Sequence, residues 1–135
     1  MIDYGEKFDR FVEIVTELRS ENGCPWDREQ SPASLKRYLL EETQEAIEAI
    51  TANNHQHIKD ELGDILYVIV LLAQIHNEEN IFNIGDVIDA ITDKMIRRHP
   101  HVFSGEKIET VAELRKKWLE IKNMEKSPGN YPKKN

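Results

Sequence analysis

The sequence is poor in cysteine and has no long hydrophobic run, and each shortage excludes a class of protein. Among 135 residues Cys24 is the single cysteine, so the chain cannot form an internal disulfide, and its composition suits a reducing compartment. The opening residues MIDYGEKFDRF lack the apolar run of a signal peptide, and the longest apolar stretch, Ile65 to Ala73, is too short to span a bilayer. We therefore expect a soluble, cytoplasmic protein without a membrane partner.

Positive charge is also scarce. The chain has 18 lysines and arginines against 25 acids, which gives a formal net charge of −7. Binding to polymeric nucleic acid relies on neutralising many phosphates, so this overall charge argues against such a partner. A single nucleotide carried with a metal ion is compatible with it. The length suits one domain with a substantial core.

Helical periodicity is present along most of the chain. Apolar residues recur at spacings of three and four, and no alternating run predicts a strand. We predict an all-α, antiparallel helical bundle of about five helices. The predicted helices are Tyr4–Ser20, Ser31–Thr51, His57–His76, Asp86–Arg98 and Thr110–Met124, the last starting at a T-x-x-E capping box.

The segments between these helices are rich in helix breakers. Glu21–Gln30 is predicted to be a loop because Gly23 and Pro25 interrupt the helical period, and HPHVFSGEK is predicted to be a turn after the fourth helix. Residues 1–125 are predicted to form a single domain, and residues 126–135 a disordered tail.

Two consecutive helices carry inward-facing acids. Projection on a helical wheel places Glu42 and Glu45 on the apolar side of the second helix, and Glu61 and Asp64 on the apolar side of the third. With 25 acids in 135 residues such pairs also arise from composition, so the prediction depends on both pairs facing inward. Buried carboxylates repel one another and need a cation. All-oxygen ligation favours Mg²⁺, with Mn²⁺ as a substitute.

Several motifs occur in a fixed order along this sequence. An E-E-x-x-E helix (Glu41, Glu42, Glu45) is followed by E-x-x-D on the next helix, and the segments GCPWD, KMIRRHPHVF and WLEIK begin at Gly23, Lys94 and Trp118. This ordered set resembles the MazG family of nucleoside triphosphate pyrophosphohydrolases, and the resemblance covers about residues 8 to 123.

The resemblance implies an enzyme that cleaves a nucleoside triphosphate between its α- and β-phosphates, giving a monophosphate and pyrophosphate. Its implied metal ligands are Glu42, Glu45, Glu61 and Asp64. Lys94 and Arg98 correspond to phosphate-binding positions, and Trp118 and Lys122 to late nucleotide-contacting positions. Because family members assemble as dimers or higher oligomers, a homo-oligomer is expected.

Several assignments stay open at this point. Either Glu42 or Glu45 could accept the proton from the attacking water. Lys94, Arg97 or Arg98 could stabilise charge on the leaving pyrophosphate, although cations also gather at helix C-termini for purely structural reasons. Trp118 could stack on a base or belong to the core.

Two other kinds of helical protein are alternatives to the enzyme. A carboxylate-bridged di-iron bundle needs Glu-x-x-His motifs, and none of the five histidines has a glutamate three residues before it. A non-catalytic helical module that binds a nucleotide or a protein partner would be marked by loss of a metal ligand. All four acids are present, so the non-catalytic module is a weaker hypothesis than the enzyme.

Overall fold

The computed structural model describes residues 1–126, and within that range every regular element is an α-helix. The seven helices are α1 (Tyr4–Leu18), α2 (Pro25–Glu29), α3 (Pro32–Thr51), α4 (His55–Glu78), α5 (Ile84–Arg98), α6 (Pro100–Phe103) and α7 (Val111–Glu125). The all-α prediction is confirmed. Of the predicted tail, only Lys126 is described, as the C-cap of α7, and the remainder lies outside the described residues.

Two short helices occupy segments that the sequence predicted as irregular. The loop prediction is wrong for Pro25–Glu29, and the turn prediction is wrong for Pro100–Phe103. In both cases the proline is the first helical residue. Proline suits that position because its fixed φ matches the helix and its missing N–H would have had no partner there. The same residue that interrupts one helix therefore begins the next.

Side-chain caps set the starts of the longer helices. Ser31 caps α3 and exchanges hydrogen bonds with Ser34, and Thr110 caps α7 by accepting from the Glu113 amide, as predicted. Asn54 caps α4, which begins two residues before the predicted start. α5 begins at Ile84, so Asp86 lies in its first turn and not at its cap.

Residues 1–85 form one compact unit, in which α4 packs against both α3 and α1. The connection from α3 to α4 is only three residues long, so the two helices run antiparallel. Apolar side chains from all three helices form its core: Val15, Leu35, Val68, Val70, Leu71 and Ile75. This packing fixes the register between α3 and α4, the two helices that carry the predicted metal ligands.

The described residues from 86 to 126 belong to a second compact unit. Within it, Pro100 and Ile121 are buried. The Trp118 indole N–H donates to the Arg98 carbonyl at 2.6 Å, which ties α7 to the end of α5. The single domain proposed for residues 1–125 stays a prediction.

A helix that crosses a bilayer must be long and predominantly apolar. None of the helices in residues 1–126 meets that requirement.

Candidate metal centre

Four carboxylates from α3 and α4 meet in residues 1–85. One oxygen from each of Glu42, Glu45, Glu61 and Asp64 lies within 4.8 Å of the other three. On each helix the two acids are three residues apart, which places both on the side that faces the other helix. The structure therefore brings together all four residues that the sequence nominated as metal ligands.

Burial differs within this cluster, which we call the acid cluster. Glu42 and Glu61 are half-buried, whereas Glu45 and Asp64 are exposed. The Oε2 atoms of Glu42 and Glu61 are buried and have no hydrogen-bond partner among the described residues. A buried carboxylate oxygen without a donor destabilises the fold. Contact with a cation would offset this cost.

The proton affinities of the two half-buried acids reflect this crowding. Burial raises the pKa of Glu42 to about 7, and repulsion from Glu45, Asp64 and Glu61 adds to the effect. Burial also raises the pKa of Glu61, with further contributions from Glu45 and Asp64. Near neutral pH, the acid cluster carries its full negative charge only when a cation offsets the repulsion.

The donor chemistry fits a hard divalent cation. All four side chains offer carboxylate oxygens, the ligands preferred by Mg²⁺, Mn²⁺ and Ca²⁺, and no thiolate or imidazole belongs to the set. The two unsatisfied Oε2 atoms are the positions that a cation would complete. Glu42, Glu45, Glu61 and Asp64 would hold it.

Glu41 precedes Glu42 in the motif but lies outside the acid cluster. Its side chain is exposed and pairs with Arg37, one turn earlier on α3, at 3.6 Å. This outward position fits the helical period, since consecutive residues lie about 100° apart around the helix axis and Glu42 faces inward. Glu41 is therefore a neighbouring acid of the same type in a different environment.

An open cavity of about 420 Å³ adjoins the acid cluster. Its lining contains Glu45, Glu48, Ala49, Ala52, His57 and Glu61. Neither Glu48 nor His57 is among the site residues that the sequence predicts. Glu48 lies three residues after Glu45, and His57 lies four residues before Glu61. Residues at these spacings share a helix face, so the sequence could have placed Glu48 and His57 beside the acid cluster.

The predicted phosphate-binding residues belong to residues 86–126. Arg97 Nε and Arg98 Nη2 donate to the two oxygens of Glu125, at 2.5 and 2.7 Å. Hydrogen bonds from Arg98 and then Arg97 lower the pKa of Glu125, so its carboxylate is firmly ionised. Lys94 is half-buried, and Lys122 is exposed. Sequence reasoning missed Glu125, which shares a face of α7 with Trp118 and Lys122.

Trp118 has a structural contact that the sequence left open. Besides the hydrogen bond from its indole to the Arg98 carbonyl, its ring lies edge-on to His99, with the ring centres 5.8 Å apart. The indole is half-buried. Its N–H is therefore already engaged, and a contact with the nucleotide stays a prediction.

The other tryptophan, Trp26, lies on the short helix α2. Arg19 anchors this helix by donating to the carbonyl oxygens of Asp27, Arg28 and Gln30, and the Tyr67 hydroxyl donates to the buried Asp27 carboxylate. The indole of Trp26 meets Tyr38 edge-on, with the ring centres 5.2 Å apart. These contacts attach α2 to the end of α1, to α3 and to α4.

Comparison with known proteins identifies the class to which these features belong. The family sequence model of the MazG nucleotide pyrophosphohydrolase domain matches residues 30–103. This segment contains the whole acid cluster. The fold and the site define an all-α protein with a candidate divalent-metal centre. The chain belongs to the MazG nucleotide pyrophosphohydrolase domain family.

Individual relatives support this assignment. The chain is 43% identical over 122 residues to the nucleoside triphosphate pyrophosphohydrolase of Escherichia coli K12, covering 90% of this chain and 46% of the relative. It is 46% identical over 126 residues to the nucleoside triphosphate pyrophosphohydrolase/pyrophosphatase MazG of Thermotoga maritima, covering 93% and 48%. The chain thus spans about half the length of these curated relatives.

An uncharacterised relative and a solved structure are also similar to the chain. Over 121 residues the chain is 46% identical to the uncharacterised protein YabN of Bacillus subtilis, covering 90% of this chain and 25% of the relative. The crystal structure of a MazG-related protein from Thermotoga maritima superposes with a TM-score of 0.71 at 31% identity. That superposition covers 85% of this chain and 98% of the other.

Proposed function

We propose that this protein hydrolyses nucleoside triphosphates between the α- and β-phosphates, releasing a nucleoside monophosphate and pyrophosphate, in a Mg²⁺-dependent reaction. The observation that carries the proposal is the acid cluster, whose four carboxylate oxygens lie within 4.8 Å of one another. Membership of the MazG domain family supports it. So does the name nucleoside triphosphate pyrophosphohydrolase, which two of the relatives carry.

The acid cluster and a triphosphate are both negatively charged, so a cation must lie between them. Glu42, Glu45, Glu61 and Asp64 would hold Mg²⁺, with Mn²⁺ as a substitute, because both ions favour carboxylate and phosphate oxygens. When bound, the ion supplies Lewis-acid activation of the phosphate and lowers the pKa of a bound water.

The chain's own acids would take up the proton of the attacking water. Glu42 and Glu45 are the two candidates for this role. Burial raises the pKa of Glu42 to about 7 in the metal-free protein. A bound cation would lower it, so that this carboxylate would be ionised and able to accept a proton. Glu45 is the more exposed of the two and lines the open cavity beside the acid cluster.

Residues 86–126 would contact the phosphates and the nucleoside. As the bond to pyrophosphate breaks, negative charge grows on the leaving group, and Lys94, Arg97 and Arg98 would stabilise it. Trp118 and Lys122 are one turn apart on α7 and would contact the base, ribose or phosphate.

A homodimer or higher homo-oligomer forms part of the proposal. Large apolar side chains are exposed at helical spacing on α3 and α4: Leu40, Ile47, Leu62, Leu66 and Ile69. The second half of α4 is apolar nearly all round, as in helices that others surround, yet Leu66 and Ile69 are 39% and 38% exposed. A second copy would cover them. A cytoplasmic location, without membrane or polymeric nucleic acid as a partner, belongs to the same proposal.

Product analysis tests the reaction directly. The purified protein is incubated with a panel of nucleoside triphosphates and Mg²⁺ in water labelled with ¹⁸O, and the products are separated and weighed by mass spectrometry. We expect monophosphate and pyrophosphate, with the label in the monophosphate if water attacks the α-phosphorus. EDTA should abolish turnover, and Glu42→Gln should lower kcat by about 1000-fold, whereas the matched variant Glu41→Gln should retain it.

Two outcomes would contradict the proposal. Diphosphate and inorganic phosphate would show that the wrong bond had been assigned. Binding of nucleotides without turnover, measured by calorimetry with Mg²⁺, would favour the non-catalytic binding module instead.

A further inference from the structure

The end of α7 holds a carboxylate that the proposed reaction does not use. Glu125 Oε2 accepts from Arg97 Nε at 2.5 Å, and Glu125 Oε1 accepts from Arg98 Nη2 at 2.7 Å. Each oxygen serves a different guanidinium group. One residue of α7 therefore fixes two neighbouring arginines at the end of α5, and charged hydrogen bonds of this kind are among the strongest in proteins.

The relative burial of the three side chains indicates which of them faces solvent. The Glu125 side chain is 12% exposed, whereas those of Arg97 and Arg98 are 28% and 23% exposed. The carboxylate is the most shielded member of the group. An anion that approaches from solvent therefore meets the guanidinium groups more readily than the carboxylate behind them.

A second contact holds the same turn of α5. Trp118, two turns before Glu125 on α7, donates its indole N–H to the Arg98 carbonyl at 2.6 Å. The backbone of Arg98 and its side chain are thus held by two different residues of one helix face. Such a double attachment limits the motion of the arginine before any ligand binds.

Two neighbouring guanidinium groups of like charge share the Glu125 carboxylate. Without Glu125, both groups would lose a carboxylate that holds them, and their mutual repulsion would increase. Ordering them would then weaken ligand binding, because long side chains lose conformational entropy when they are fixed.

We infer that Glu125 is a positioning residue, which holds Arg97 and Arg98 in place to bind the pyrophosphate portion of the substrate. The inference rests on the proposed function, since it assigns the two arginines to phosphate binding. Glu125 itself does not touch the substrate. It acts through the arginines, and its removal should weaken the binding of any ligand that carries a pyrophosphate group.

Inorganic pyrophosphate with Mg²⁺ is the probe, because its binding can be measured by calorimetry whether or not the protein turns over a nucleotide. Glu125→Gln keeps the size of the side chain and removes its charge. We expect about a tenfold weaker Kd for pyrophosphate and a similar rise in KM for the triphosphate, with a smaller fall in kcat. A residue needed only for folding would lower the active fraction, and hence kcat, without moving Kd or KM.

Three further variants make the test specific. Glu120→Gln, an exposed acid on the same helix, should leave both constants within about twofold. Glu125→Asp, which keeps the charge, should recover part of the affinity and also serves if the glutamine variant folds poorly. In an Arg98→Met background the effect of Glu125→Gln should shrink strongly, since a residue that acts through Arg98 has less to position.

The inference is overturned by either of two results. Unchanged pyrophosphate affinity in Glu125→Gln would show that the arginines do not need the carboxylate. Tighter binding would show that Glu125 competes with the phosphate instead of positioning its partners. If the wild-type protein binds pyrophosphate but hydrolyses no triphosphate, the proposed function fails while the comparison of variants still decides the role of Glu125.

Discussion

In residues 1–85 four like-charged carboxylates lie within 4.8 Å of one another, whereas in residues 86–126 two arginines share one glutamate. The first arrangement raises the pKa of Glu42 to about 7, because burial and neighbouring acids both oppose ionisation. The second lowers the pKa of Glu125 through hydrogen bonds from the arginines. The two groups therefore respond to their surroundings in opposite directions.

This difference indicates what each group needs from outside. The acid cluster leaves two buried oxygens without a donor among the described residues, and a cation would complete it. In the arginine group, by contrast, each guanidinium has a carboxylate partner within the protein. Loss of one charge should consequently stabilise the metal-free acid cluster and destabilise the arginine group.

The largest expected effect comes from removing one carboxylate. Glu61→Gln should weaken Mg²⁺ binding by about 100-fold, since one of four charged ligands is lost, and should also make the metal-free protein more stable because repulsion falls. Calorimetry gives the affinity, and thermal unfolding in EDTA gives the stability. Arg98→Met should leave Mg²⁺ affinity within about twofold. Equal losses in both variants would show that metal binding does not belong to residues 1–85 alone.

A smaller effect is expected from pH. Below about pH 4.5 Glu42 is protonated in both the folded and unfolded chains, and between about 4.5 and 7 the unfolded chain loses its proton first. The free energy of unfolding of the metal-free protein should therefore fall as pH rises through this window. Solvent screening of this half-buried side chain limits the change to about 1 kcal/mol.

Metal affinity should show the opposite trend. Binding favours ionised carboxylates, so the affinity for Mg²⁺ should drop by up to about tenfold between pH 7 and pH 6. Chemical denaturation in EDTA and calorimetry with Mg²⁺, both repeated with Glu42→Gln, measure the two trends. If the glutamine variant keeps the same pH slope, another group is responsible and the contrast with Glu125 loses its basis.

The parts of this structure that the sequence could predict are those governed by local spacing. Glu42 and Glu45, and likewise Glu61 and Asp64, are three residues apart, and the apolar residues around them define the inward side of each helix. That information is enough to place both pairs between α3 and α4 once the helices are antiparallel.

Local spacing did not predict the two short helices or the contact between Glu125 and the arginines. α2 and α6 each begin at a proline, and the residue alone does not say whether it ends one helix or starts another. Glu125 meets Arg97 and Arg98 across 28 and 27 positions of the chain, respectively. No periodicity encodes such a contact, since it depends on how α7 packs on the end of α5.

The smallest expected effect tests whether position, and not acidity, defines the acid cluster. Glu41 precedes Glu42, yet its exposed side chain pairs with Arg37 at 3.6 Å. Exposed pairs of this kind contribute little, so Glu41→Gln should leave the stability of the protein essentially unchanged. Its effect on Mg²⁺ affinity should stay within about threefold, because a charge directed into water is strongly screened. Calorimetry at low and high salt measures this. A loss comparable to that of Glu61→Gln would mean that the motif holds its metal through all of its acids and that the outward projection of Glu41 is wrong.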